Sequence, residues 1–280
     1  MTTLKIVHRT GYSYVGGATA SFNEARMTPR SSHEQQVVHS RLDVSPVPWL
    51  STYTDYWGTT VTAFELFERH ESLQVVATST VDVRREPIGP GGHSWADLDD
   101  PALRDRLCES LRITPLVAVP TDLDTLLRQL RARSDTPYDY ACAVVRLVHD
   151  EVDYVFGATG VHSRAAQAWV QRSGVCQDMA HLVIGALRLV GVPARYVSGY
   201  LMPQRDAELG RGYAGESHAW VQFWDGDWVG VDPTNDQLPG ELHVEVAAGR
   251  DYRDVPPIRG IFTGSGTSDM FVWVEMTRIA

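Results

Sequence analysis

Gly174-Val175-Cys176-Gln177-Asp178-Met179-Ala180-His181 opens the stretch on which the reading of the whole chain turns. Beyond it, Met179, Leu182, Val183, Ala186, Leu187 and Val190 recur at intervals of three and four, the pattern of a helix with an apolar face in a core. Gly191 and then Pro193 mark where that helix stops. Cys176 therefore falls in the helix's first turn. There, backbone N–H groups without intrahelical acceptors and the positive end of the helix dipole favour a thiolate. A small core residue is the commoner role for a cysteine. Cys176, however, precedes the apolar stripe instead of belonging to it, and Gly174 leaves room for another chain to approach. Asp178 is expected to cap the same turn.

Working outward, composition bounds the classes. The 280 residues, 43% of them hydrophobic, suit a globular protein of one large or two ordinary domains. A net charge of −10 with no clustered Lys or Arg counts against nucleic acid as a partner. No signal-peptide pattern is visible at the start, and charges interrupt each apolar run before membrane-spanning length, so a cytoplasmic protein that does not enter the membrane is expected. Three cysteines, Cys108, Cys142 and Cys176, make no disulfide framework.

The expected fold class is α+β. Residues 4–14, 20–27, 36–44, 60–67 and 73–83 are rich in β-branched and aromatic residues and are punctuated by Gly, Pro, Asn and Ser, which predicts a β-sandwich. The run R-R-E-P-I-G-P-G-G at 84–92 places a boundary, giving domains 1–88 and 89–280. After it the period becomes helical, at Leu123, Leu126, Leu127 and Leu130 and again at Ala141, Val144, Val145 and Val148. Past the Cys176 helix, residues 194–201, 218–224, 228–231 and 270–279 read as strands, and 203–215 as an exposed loop.

A thiol that attacks a carbonyl needs a base in reach, and the base needs a third group to orient it. His218 opens one strand and Asp232 closes the next, and these supply both roles. With a two-residue turn at Asp225-Gly226, Ala219 would face Asp232 and His218 would point away. With a three-residue loop, Trp224-Asp225-Gly226, Phe223 faces Asp227 and His218 lies directly opposite Asp232, within about 4.5–5.5 Å at Cβ. The chemistry selects the second register. The oxyanion hole is expected to use the backbone N–H of Cys176 and a second donor from Gln167, Trp169 or elsewhere in the chain. Cys176, His181, His218 and Asp232 are also conceivable zinc ligands. No C-x-x-C or H-E-x-x-H spacing supports them, and neither a metal nor a cofactor is expected.

The order Cys, His, Asp in G-V-C-Q-D-M-A-H, A-R-Y-V-S-G-Y-L, H-A-W-V and W-V-G-V-D-P-T resembles the bacterial transglutaminase-like cysteine proteases. The resemblance extends to G-R-D-Y-R-D-V-P-P at 249–257 with Arg259-Gly260. In the first part it covers Tyr12-Ser13-Tyr14, Met27-Thr28-Pro29-Arg30 and Asp55-Tyr56-Trp57-Gly58, while Thr59 stands where that family usually has Asn. It implies an N-terminal β-sandwich before a papain-like catalytic core, with Cys176 as nucleophile, His218 as base and Asp232 as orienting carboxylate. The substrate would be a peptide or protein amide. The triad serves hydrolysis or transfer to a primary amine. Hydrolysis is favoured, because transfer requires an aromatic-walled tunnel that excludes water, and Trp220, Trp224, Trp228, Tyr200 and Tyr213 are equally suited to packing.

Overall fold

The structure, a computed structural model, describes residues 1–86 and 89–280. Part of the expected boundary at 84–92 lies outside the described residues. Strand Thr2–Ala18 is the spine of a five-stranded antiparallel sheet. On one side of it come His70–Val83 and Gln35–Ser45, on the other Ser268–Arg278 and Gly212–Gly215. A four-stranded sheet, in the order Ile258–Thr263, Ala20–Ala25, Thr60–Leu66 and Trp49–Thr54, completes the sandwich. Alternating residues fill the space between them, among them Tyr14, Ala25, Phe64, Leu66, Leu73, Val75 and Ile258.

The segment expected to be a separate 89–280 domain thus supplies three strands to sheets that the first 83 residues begin. Local β pattern announces strands but not their partners. Two of the three were also not read as strands: 212–215 lies in the expected loop, and 258–263 follows a proline pair.

The third sheet, also antiparallel, runs Trp228–Val231, Ser217–Trp224, Ala194–Leu201, His243–Gly249. The last of these strands is buried along its whole length, so it lacks the two-residue alternation by which half-buried strands are recognised. Helices Thr121–Ala132, Pro137–Glu151 and Ala165–Gln171 pack around helix Cys176–Leu189, which itself lies on this sheet. Pro137 sits at a first-turn position that needs no donor, and Thr136 Oγ1 accepts from Asp139 N at 3.1 Å, which starts its helix there.

The Cys176 helix is buried on every side from Gln177 to Arg188, not on one face as its stripe suggests. Its polar residues are accommodated individually. Arg188 donates to the carbonyls of Ala194, Arg112 and Arg250, and His181 accepts from Tyr252 N at 3.2 Å. Leu4, Ile6, Val81 and Met276 of the first sheet join the same apolar cluster as this helix, so sandwich and helical layer share a core. Among the described residues no helix is long and apolar enough to cross a membrane.

Candidate active site

Cys176 is the first residue of its helix, and Val175 is the cap in extended conformation. The start is held by Asp178, whose Oδ2 accepts from Val175 N at 2.9 Å and from Thr159 Oγ1 at 2.5 Å. Burial pushes the Asp178 carboxyl up, against the opposing effect of those hydrogen bonds. A Cβ on Gly174 would lie 2.9 Å from Asp178 Cβ, so the room at Gly174 belongs to the capping carboxylate and not to an incoming chain.

The strand Ser217–Trp224 brings His218 to the same cleft as Cys176. The hairpin that does so has a register the sequence reading did not anticipate. Val221 faces Val231 and Trp224 faces Trp228, so the loop is Asp225-Gly226-Asp227 and Phe223 faces Val229, not Asp227. Two contacts select it. Trp224 and Trp228 meet edge to face at 5.6 Å, and the Asp225 carboxylate accepts from the backbone N–H groups of Gly91 and His93. Continued by the same offset, Asp232 falls opposite Trp220, with His218 one diagonal step away. A shift of two residues preserves the face, so His218 Nε2 still reaches Asp232 Oδ2, at 2.9 Å.

Asp232 is fully buried and its carboxylate is crowded with donors. Oδ2 also accepts from Asn235 Nδ2 at 2.7 Å and from His243 Nε2 at 3.2 Å, and Oδ1 accepts from Thr234 N at 3.0 Å. Burial would raise its pKa; the hydrogen bonds from His218 and His243 outweigh burial and hold it well below the usual carboxylate range. For His218 burial disfavours the cation, yet the hydrogen bonds and charges of Asp232 and Cys176 prevail and the pKa rises to about 10. Because Nε2 is engaged with Asp232, Nδ1 is the nitrogen left for the thiol.

His243 and Asn235 were not singled out in the sequence. Neither has a motif at readable spacing, and His243 comes from the buried strand that carries no alternation. Its Nδ1 accepts from Gly240 N at 3.1 Å, so its proton resides on Nε2 and is donated to Asp232. His218, Asp232 and His243 are close enough to ligate one ion. That protonated Nε2, spent on Asp232, does not suit a metal ligand. His181, from the zinc set weighed in the sequence, is buried apart from this cluster against Tyr252 N and Tyr196.

The oxyanion candidates need correction. Gln167 Oε1 accepts from Arg164 N at 2.8 Å and caps its own helix, and Trp169 Nε1 donates to Asp122 at 3.0 Å under the Arg172 guanidinium. Neither lines the cleft. The five aromatic residues weighed as tunnel walls do not line it either. Trp220 and Tyr200 are core, and Trp228 stacks under Arg195. The cleft, about 490 Å³, is instead walled by Tyr154, Phe156, Tyr196, Tyr252 and Trp273.

Comparison with known proteins agrees with this architecture. Residues 4–82 match the family described as the bacterial transglutaminase-like N-terminal region, and residues 124–233, which include Cys176, His218 and Asp232, match the transglutaminase-like superfamily. The chain is 44% identical over 280 residues to an uncharacterized protein of Mycobacterium leprae, covering all of both chains. It is 32% identical over 126 residues, 42% of this chain and 19% of the relative, to a protein-glutamine gamma-glutamyltransferase of Pseudomonas aeruginosa. A solved structure from Cytophaga hutchinsonii, described provisionally as a cysteine protease, matches all of this chain and 91% of its own with a TM-score of 0.77 at 21% identity, a likeness of fold. The chain belongs to the transglutaminase-like superfamily, in the form that carries a bacterial transglutaminase-like N-terminal region.

Proposed function

We propose that the protein is a cysteine-dependent hydrolase of amide or peptide bonds. The observation that supports this most is the chain of contacts from the cleft inward: Cys176 at a helix start, His218 beside it, and the buried Asp232 2.9 Å behind His218. In this reading Nδ1 of His218, whose pKa is raised to about 10, already holds the Cys176 proton when Sγ attacks the carbonyl carbon. Asp232 orients the ring and stabilises the imidazolium without accepting its proton. As the tetrahedral intermediate collapses, the C–N bond breaks and the imidazolium proton passes to the leaving amine. A water then attacks the thioester, with His218 again as base, and the acid leaves as Cys176 is restored. The oxyanion would meet the first-turn N–H groups of Cys176 and Gln177, which as first-turn groups have no intrahelical acceptor.

The gamma-glutamyltransferase relative favours a second reading, transfer of the acyl group to a primary amine. Both readings take a peptide or protein amide as substrate and use neither metal nor cofactor. A cytoplasmic setting is part of the proposal, and the free thiols of Cys108, Cys142 and Cys176 suit it. Intact-mass analysis of casein peptides incubated with the protein and a primary amine separates the readings. Hydrolysis gives new termini or deamidated glutamine, and transfer gives the amine adduct. Products that persist at wild-type rate with Cys176→Ala would overturn both.

A further inference from the structure

The strand Ser268–Arg278 is paired along one side with Thr2–Ala18, from Tyr14↔Ser268 to Leu4↔Arg278. Among the described residues, strand pairing on its other side runs from Thr277 to Val274, by the short strand Gly212–Gly215. At Gly215 the chain leaves this sheet and by Ser217 has entered the sheet that carries His218. Residues 268–273 are thereby left with an open edge. Val272 and Trp273, at the start of that edge, line the same cleft as Cys176 and His218.

Hydrogen-bond parity shows which groups the edge offers. In an antiparallel strand the N–H and C=O of one residue point to the same side, and successive residues alternate. Thr267 O accepts from Val15 N and Phe271 O from Thr10 Oγ1, so odd-numbered residues face the first strand. Arg278 O accepts from Gly210 N on the opposite side, as even-numbered residues should. The N–H and C=O groups of Val272 and Met270 therefore point outward, and among the described residues no strand pairs with them.

Such an edge is normally blunted by lysine, proline or a bulge. Met270-Phe271-Val272-Trp273 has none of these, and all four side chains are exposed, at 40–54%. Tyr154, Phe156 and Val161 stand exposed in the lining of the same cleft. We propose that this edge is the substrate-docking site: an extended, apolar stretch of polypeptide adds as a strand along residues 270–273, exchanges backbone hydrogen bonds with Val272 and Met270, and so delivers its amide to Cys176. The occupant is an unfolded or locally extended protein chain. Main-chain bonds give affinity, and the apolar walls favour large side chains at alternate positions. This rests on the acyl-transfer reading of the cleft, though the docking itself requires no catalysis.

The test has two arms. Val272→Pro deletes an outward N–H while leaving the bonds to the first strand in place, a substitution an edge strand tolerates. With casein as probe, kcat/KM should fall about tenfold more than with p-nitrophenyl acetate, which has no backbone to pair, and the loss should appear in KM. Independently, hydrogen exchange on the Cys176→Ala protein should show the Val272 and Met270 amides slowed at least tenfold by saturating casein. Equal losses on both probes together with unchanged exchange would overturn docking while leaving the hydrolase standing. Protection by casein in a protein that proves inactive would sustain docking and overturn the hydrolase. Concentration-dependent protection without casein would assign the edge to a second copy of the chain and overturn the proposal. If Val272→Pro does not fold, the exchange arm decides alone.

Discussion

At the scale of single residues, Asp232 is where the electrostatics concentrate. Its two oxygens accept from His218, His243, Asn235 and the Thr234 N–H, so an ionised carboxylate is the only side chain of its size that satisfies all four. Asp232→Asn must turn an NH₂ toward one donor. We expect it to cost roughly 1–3 kcal/mol of stability in urea unfolding, and to lower kcat less than Cys176→Ala does, because an amide oxygen still orients His218. A Tm equal to wild type would contradict the donor count. Proton linkage gives a second prediction. The folded pKa of His218, about 10, lies above its unfolded value near 6.5, so the stability it contributes is complete below pH ~6.5 and is lost as pH rises toward ~10. Asp232 is depressed, so its contribution is present above its unfolded pKa near 3.9 and is lost as pH falls below it. The alkaline limb of kcat/KM should follow the imidazolium of His218 and lie well above 6.5. An NMR titration of the His218 ring with a midpoint at its ordinary value would refute this.

At the scale of elements, the hairpin and the helix start each depend on a glycine for a stated reason. Gly226 holds φ +89° at the centre of the loop, and an added Cβ would stand 2.9 Å from His93 Nε2. Gly226→Val should therefore cost about 1–2 kcal/mol from the left-handed backbone alone, and more from displacing His93. Activity should fall along with stability, since the loop sets the register that keeps His218 and Asp232 on one face. Wild-type urea midpoint and rate would show that the loop does not set it. Gly174→Ala acts on the helix: its Cβ would push Asp178 away from Val175 N and Thr159. The expected result is a loss of about 0.5–2 kcal/mol, the range for a lost N-cap, and slower labelling of Cys176 by iodoacetamide. Unchanged labelling would separate the cap from the thiol.

At the scale of the whole molecule, the two ends of the chain meet in the sandwich. Residues 258–263 pair with 20–25, and 268–278 with 4–14, so the first 83 residues alone would lack one neighbour for each of two strands and expose Leu4, Ile6 and Tyr14. A fragment of residues 1–88 should consequently lack cooperative unfolding by far-UV circular dichroism. A sigmoidal urea transition in that fragment would show that the sandwich stands without its C-terminal strands.

Much of this protein was decided locally and was legible for that reason. The Cys176 helix, with its apolar recurrence and its nucleophile in the first turn, follows from short-range periodicity and helix-end chemistry. So do the helices at 121–132 and 137–151 and most sandwich strands. That His218 and Asp232 share a face was also accessible, because the face depends only on whether the register offset is even or odd. The offset itself was not, since Trp224 packing on Trp228 and Asp225 binding to Gly91 and His93 set it, and the latter partners lie over 130 residues away. Long-range closure also decided that Gln167 and Trp169 serve other partners, that His243 stands behind Asp232, and that strands after residue 211 complete sheets begun at residue 2. Periodicity reports which face of an element is buried; which neighbour buries it depends on backbone groups and side chains that only the folded chain brings within reach.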